Sequence, residues 1–207
     1  MMSKVPRSME ATSAPAAASV ERERRTLPRG IWAIALVIAG EFTLFASLIA
    51  TYFYLRFRTD VWPPAGIPKP LVAEPLLLTA LLLISTVPMT AAVRAARGAR
   101  RRLAWWLVAA AAAMQGTYLG LQINLFADDF HKFTPSDDAY GSIYFTMLGV
   151  HHAHVAAGLV LNAWLLGALA FGLTNYRLLA LRIASYYWYF VAAVGVAVVL
   201  TQIYPSL

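Results

Sequence analysis

Residues 31–54 read IWAIALVIAGEFTLFASLIATYFY, an apolar run interrupted by a single charge, Glu41. A helix that crosses the hydrocarbon core of a bilayer needs roughly 20 consecutive, mostly apolar residues. This stretch supplies them. Comparable runs follow at approximately 76–95, 103–126, 140–171 and 183–204. The expected fold is therefore all-α, an integral membrane bundle of five transmembrane helices. Composition agrees: 60% of the 207 residues are apolar and 13% are charged, against about 25% charged in a soluble domain. Short loops leave no room for a separate soluble domain. The chain divides into a polar tail, 1–29, and a five-helix domain, 30–207.

Charge gives the orientation. The chain carries 17 Lys and Arg against 10 Asp and Glu. With a cytoplasmic N-terminus, the inner segments are 1–30, 96–102 and 172–182. Together with Arg94 they hold all the basic residues except Arg56, Arg58, Lys69 and Lys132. The outer loops carry Asp60, Glu74, Asp128, Asp129, Asp137 and Asp138. Basic residues inside and acids outside follow the positive-inside rule. The net charge of +7 is thus a topology signal and not a nucleic-acid signal. Residues 1–28 are rich in Ala, Ser, Pro, Arg and Glu, without the apolar core of a cleaved signal. They read as a disordered cytoplasmic tail.

Local punctuation refines the spans. Pro75 suits a first helical turn, and Pro88 predicts a kink inside the second span. Gly116 and Gly120 have the spacing that lets helix backbones approach closely. Thr134-Pro135-Ser136-Asp137-Asp138 reads as a helix start, with a capping hydroxyl followed by Pro and acids. The fourth apolar run is long enough that its helix must tilt or project beyond the membrane. Trp62, in the first outer loop, suits the headgroup region, and Ser185–Phe190 reads as an aromatic packing and interface belt.

Few residues are suited to chemistry. Glu41 lies twelve residues past Arg29, roughly 18 Å along a helix, near the bilayer centre. An unpaired carboxylate there costs about 2.5–3.5 kcal/mol on insertion scales, so it needs a proton or a partner. His151, His152 and His154 cluster in the fourth span. Residues three apart share a helix face, so His151 and His154 point the same way and His152 points elsewhere. Whether that face meets Glu41 cannot be read from one helix. No other span holds a His and there is no Cys. Disulfides, iron–sulfur clusters and thiolate-ligated haem are excluded, and bis-His haem lacks a facing ligand. No cofactor or metal site is expected in this chain.

These residues also carry a resemblance. Glu41-Phe42-Thr43-Leu44-Phe45 with Tyr52-Phe53, then Trp62-Pro63-Pro64 with Gly66-Ile67, recur in order. So do Asp138-Ala139-Tyr140-Gly141-Ser142 with Phe145, and Gly149-Val150-His151-His152-Ala153-His154-Val155 with Gly158. Tyr187-Trp188 with Phe190-Val191, and finally Tyr204, complete the set. From the first span to its end the chain resembles subunit III of haem–copper terminal oxidases, in the five-helix form of many bacteria. It is a divergent member. Tyr189 and Ala192 stand where the family carries a His and an Asp, Leu121-Gln122-Ile123-Asn124 lacks a frequent acid, and His152 replaces a usual Gly. The resemblance implies an accessory subunit without redox centres. It would pack beside catalytic subunit I, with subunit II in the same complex; haem and copper would reside in those partners. It implies bound phospholipids in a V-shaped cleft and support for proton uptake and stability of subunit I. Glu41, with the His151/His154 face, would be the lipid-cleft or proton-related group.

The alternatives are the related accessory subunit of nitric oxide reductases and a small transporter using Glu41 as its proton site. A haem-binding electron carrier is a third class, opposed by the His distribution. Because the chain lacks Cys, single introduced cysteines report topology cleanly. A cysteine at Ser3 should be labelled by a membrane-impermeant maleimide only from the cytoplasmic side, and one at Ser206 only from the outer side. The reverse pattern overturns the orientation.

Overall fold

The computed structural model describes residues 29–204, so the tail expected over 1–29 lies outside the described residues except for Arg29. Six helical segments are present: α1 (Arg29–Phe57), α2 (Ala73–Ile84), α3 (Thr86–Arg97), α4 (Arg101–Phe130), α5 (Ala139–Ala170) and α6 (Asn175–Ile203). Segments α2 and α3 are the halves of one rod, interrupted at Ser85. Pro88 lies three residues past that break and has no N–H for the preceding turn. Hydroxyls take the carbonyls left there, Ser85 Oγ donating to Leu82 O and Thr86 Oγ1 to Leu83 O, both at 2.7 Å. The expected kink is a helix break.

Four of the five rods, α1, α2–α3, α5 and α6, are long and apolar enough to cross a membrane. Segment α4 is diluted by Gln115, Gln122 and Asn124, yet it runs antiparallel to α5 along its length. At one end Arg101 donates to Ala170 O (2.7 Å) and Trp105 to Leu166 O (3.1 Å). At mid-length Tyr118 meets His151, and at the other end Tyr144 donates to Asp129 (2.6 Å). A helix of 30 residues, about 45 Å long, held in this way spans whatever α5 spans. Its inward stripe is Ala104, Val108, Ala111, Gln115, Tyr118 and Gln122, at alternating spacings of four and three that keep one face turned to its neighbours.

The ring of packing contacts runs α2–α3 to α4, α4 to α5, α5 to α6, and α6 back to α2–α3; α1 packs on α5 and α6. Only Phe45 and Tyr52 of α1 are buried. The core of the ring holds Leu82, Met89, Val108, Val155, Leu165, Leu181 and Trp188. A second cluster, at the end where α1 finishes and α5 begins, joins Tyr52, Trp62, Phe133, Tyr140 and Tyr144. Trp62 therefore faces inward and not the headgroups: Nε1 donates to Tyr52 Oη at 2.9 Å, and its ring meets Tyr140 edge-on at 4.9 Å. The first turns of α5, a helix of 32 residues, thereby pack among the loops that follow α1 and α4.

Four further expectations are corrected. The last helix begins at Asn175, capped by Thr174, whose hydroxyl accepts from Arg177 N at 3.2 Å. Reading only the apolar run delayed this start to 183, because charged residues in a first turn leave the hydropathy signal while remaining helical. The cap of α5 is Asp138, accepting from Gly141 N at 2.7 Å, and not the Thr134 hydroxyl, which pairs with Ser136. A Cβ added at Gly116 or Gly120 would meet nothing within 4 Å; the close approaches lie elsewhere. At Gly158 a Cβ would fall 2.6 Å from Trp188 Cζ2, and at Gly195 it would fall 3.2 Å from the His151 ring. The belt at Ser185–Phe190 divides, with Trp188 fully buried and Tyr186 and Tyr189 at the surface.

The turn from α3 to α4 has the hydrogen bonds of a Schellman cap, Arg100 N to Ala95 O (2.9 Å) and Ala99 N to Ala96 O (3.0 Å). The left-handed position, usually glycine, is Ala99 with φ of 56°. Ala99→Gly should therefore raise stability by about 1 kcal/mol, read as a higher thermal midpoint of the purified protein. Gly158→Ala should lower that midpoint, at a cost of about 1–3 kcal/mol for forcing the Trp188 ring aside. An unchanged midpoint in Gly158→Ala would show that this contact is not tight.

Candidate functional site

Helices α1 and α5 bring Glu41 and His154 together. Glu41 Oε2 lies 2.9 Å from His154 Nε2, while His154 Nδ1 lies 2.7 Å from Val150 O in its own helix. A carbonyl only accepts, so Nδ1 carries a proton and donates it. In a neutral imidazole Nε2 then has a lone pair, and Glu41 must be the donor. With an ionised Glu41, the ring must be imidazolium. Either way, the Glu41–Nε2 hydrogen bond holds one proton, resident on the carboxyl or on the ring. The side chains of His154 and Glu41 are 16% and 33% exposed, so the pair opens toward the flank of the subunit that its own helices leave uncovered.

The neighbouring groups on α1 are already occupied. Thr43, Ser47 and Thr51 hydroxyls donate to carbonyls one turn back, at 3.0, 2.8 and 2.8 Å. Phe45 stands edge-on to His154 at 5.2 Å and to His151 at 6.4 Å. The Tyr187 hydroxyl of α6 donates to His154 O at 2.8 Å, fixing that turn of α5 from the other side.

The expectation that His151 and His154 act as one face is only half met. Both touch Phe45, but His151 turns to the bundle interior, where Nε2 is 3.1 Å from Tyr118 Oη. Gln122 Nε2 donates to the same hydroxyl at 3.5 Å. The Tyr118 hydrogen is therefore free to point at Nε2, which leaves the His151 proton on Nδ1, a buried atom without a partner among the described residues. His152 leaves that face as expected, packing edge-on to Phe126 at 5.5 Å.

A second polar string was not foreseen from the sequence. Trp188 Nε1 donates to Asn162 Oδ1 (3.1 Å), Asn162 Nδ2 to Gln115 Oε1 (2.6 Å), and Gln115 Nε2 to Ser85 Oγ (3.2 Å). All four residues are fully buried. The signal was present as isolated amides, Gln115 and Asn162, inside apolar runs. Just past α4, Lys132 pairs with Asp129 at 2.9 Å, a hydrogen bond that raises the lysine's pKa above its ordinary value. Among the described residues no three His, Cys, Asp or Glu side chains gather as a metal site.

This arrangement can share and hold a proton at α1/α5 and brace helices with neutral hydrogen bonds. Comparison with known proteins agrees in kind. The family model for cytochrome c oxidase subunit III matches residues 20–205. Cytochrome c oxidase subunit 3 of Bacillus sp. (strain PS3) is 32% identical over 176 residues, covering 81% of this chain and 80% of that protein. Cytochrome bo(3) ubiquinol oxidase subunit 3 of Pseudomonas aeruginosa is 32% identical over 180 residues, covering 82% and 80%. Quinol oxidase subunit 3 of Bacillus subtilis is 30% identical over 174 residues, covering 81% of each. With its helices and motifs matched along nearly the whole described length, the chain belongs to the cytochrome c oxidase subunit III family.

Proposed function

We propose that this chain serves aerobic respiration as the accessory, non-redox subunit of a haem–copper terminal oxidase, supporting the catalytic subunit through the Glu41–His154 pair. The observation that carries the reading is the 2.9 Å contact of Glu41 with His154, made at the partly open flank between α1 and α5. A neutral or internally compensated pair satisfies the bilayer's demand on polar groups. It also leaves one side of Glu41 available to a neighbour. Subunit I is the direct partner in this reading, with subunit II in the same complex and haem and copper held by those chains. Phospholipids fill what the proteins leave open. The membrane is the bacterial cytoplasmic membrane, with the N-terminus inside and the C-terminus outside.

The role of the pair is to hold the protein and lipid around subunit I in a form that sustains proton uptake through many turnovers. His154 acts on Glu41 directly. His151, bonded to Tyr118, fixes α5 against α4 so that His154 keeps its place. Electron transfer passes through neither.

Substitutions at Glu41 separate support from obligatory proton carriage. Glu41→Gln keeps the shape and can donate its amide to His154 Nε2. The purified oxidase should then start at close to the normal rate of oxygen consumption. Glu41→Ala leaves the ring unpartnered, with an expected cost of about 1–3 kcal/mol. That enzyme should begin near the normal rate and then inactivate within fewer turnovers, or shed this subunit in detergent. Immediate loss of oxygen reduction in Glu41→Gln, with assembly and lipid content intact, would overturn the supporting role and make Glu41 a required proton carrier.

A further inference from the structure

The described residues at the inner end of the bundle include eight arginines, Arg29, Arg94, Arg97, Arg100, Arg101, Arg102, Arg177 and Arg182, and no acid. Two of them are satisfied within the fold. Arg101 donates to Ala170 O at 2.7 Å, and Arg177 donates to Gly172 O at 2.9 Å. Both cap the carbonyl end of α5, where cations are favoured.

Three others converge without such partners. Arg94 and Arg97 of α3 and Arg182 of α6 line one cavity of about 230 Å³, together with Thr90, Ser185 and Tyr189. The described residues form two ion pairs, Lys132–Asp129 and His154–Glu41, and neither is here. Arg182 Nε is a buried donor with no partner. Like charges gathered in a cavity repel, and a buried guanidinium N–H without an acceptor costs more than an exposed one. Both are relieved by one ligand class, an oxyanion with several acceptor oxygens. Arginine's planar fork matches phosphate in particular. Thr90 and Tyr189, joined by a hydrogen bond, line the cavity about one helical turn from Arg94 and about two turns from Arg182.

We propose that this cavity between α3 and α6 is a binding site for the phosphodiester of an anionic phospholipid of the inner leaflet. The lipid is favoured over a free anion by position. Arg94 lies one turn inside the last residue of α3, and Arg182 two turns into α6, which puts the guanidiniums at headgroup depth. The opening lies between two helices apolar enough to face acyl chains. Basic pockets between helices on the cytoplasmic side suit anionic headgroups. The site rests on the reading of these segments as membrane-spanning with the basic end inside. It does not depend on any role for Glu41, which is on the opposite flank of α6.

The test uses the oxidase complex purified from its native membrane. Arg94→Gln/Arg97→Gln/Arg182→Gln is compared with Arg100→Gln/Arg102→Gln, which removes inner-face charge outside the cavity. Native mass spectrometry and phosphorus analysis should show a tightly held phospholipid lost from the first variant and kept by the second. If the first variant fails to assemble, the wild-type complex still decides. After delipidation, Arg94, Arg97 and Arg182 should react with phenylglyoxal, and short-chain phosphatidylglycerol should protect them several-fold better than short-chain phosphatidylcholine or inorganic phosphate. Equal protection by inorganic phosphate would make this a free-anion site and overturn the lipid assignment. Dissociation of a partner subunit from the first variant with lipid content unchanged would assign the arginines to a partner's carboxylates and also overturn it.

Discussion

Inside a bilayer a polar side chain has no water to fall back on, so each must find its partner within the protein. That constraint organises this bundle. Ser85, Gln115, Asn162 and Trp188 form one hydrogen-bonded line, and each rod of the four-membered ring contributes one member. Apolar packing alone would hold the rods together only weakly, because lipid tails are as apolar as leucine. The line supplies what dispersion does not, a fixed rotational and axial register. Removing one member leaves its neighbours as buried, unpaired groups, which costs more than the bond itself is worth. The fit of Trp188 against Gly158 is part of the same device, since the ring must come close to α5 for its N–H to reach Asn162.

The outlying helix obeys the same rule with fewer contacts. On the ring side α1 presents Phe45, Tyr52 and Glu41, and most of its other large side chains face outward. Its polar tie, Glu41 to His154, sits where the ring meets uncovered surface. The Glu41–His154 tie is partly open to what lies outside the bundle, whereas the Ser85–Trp188 line is sealed at zero exposure. The two networks therefore divide the work. One fixes the bundle, and the other couples α1 and its surroundings to the bundle.

Much of this was legible in the sequence. Hydropathy found every rod, the charge distribution separated the two ends, and Glu41 and the His cluster stood out because ionisable groups are rare in such runs. Pro88 located the break to within three residues. What hydropathy missed follows from its nature, because it reports composition and not partners. The start of α6 was displaced to 183 because Arg177 and Arg182 lie on helical turns that leave the hydrocarbon. Gly116 and Gly120 advertised a contact that Gly158 and Gly195 make instead, since small residues permit close approach without saying which face is inward. His151 and His154 are near neighbours in angle, yet one meets α4 and the other α1, because the seam between those helices falls between them. Only the distances between helices could show that Gln115 and Asn162 meet.

The two ends of the bundle solve opposite electrostatic problems. At the end where α4 passes into α5 several acids are used inside the fold: Asp129 bonds Lys132 and Tyr144, Asp137 accepts from Thr134 N, and Asp138 caps α5. With the aromatic cluster around Trp62 and Tyr140, that end is largely self-contained. The inner end has arginines and no acids among the described residues, and the protein itself satisfies only some of them. Among the described residues that end finds no counter-charge of its own, in contrast to the acid-bearing end. The two ends thus differ in kind: one uses its charges in hydrogen bonds within the fold, and the other presents most of its guanidiniums outward from it.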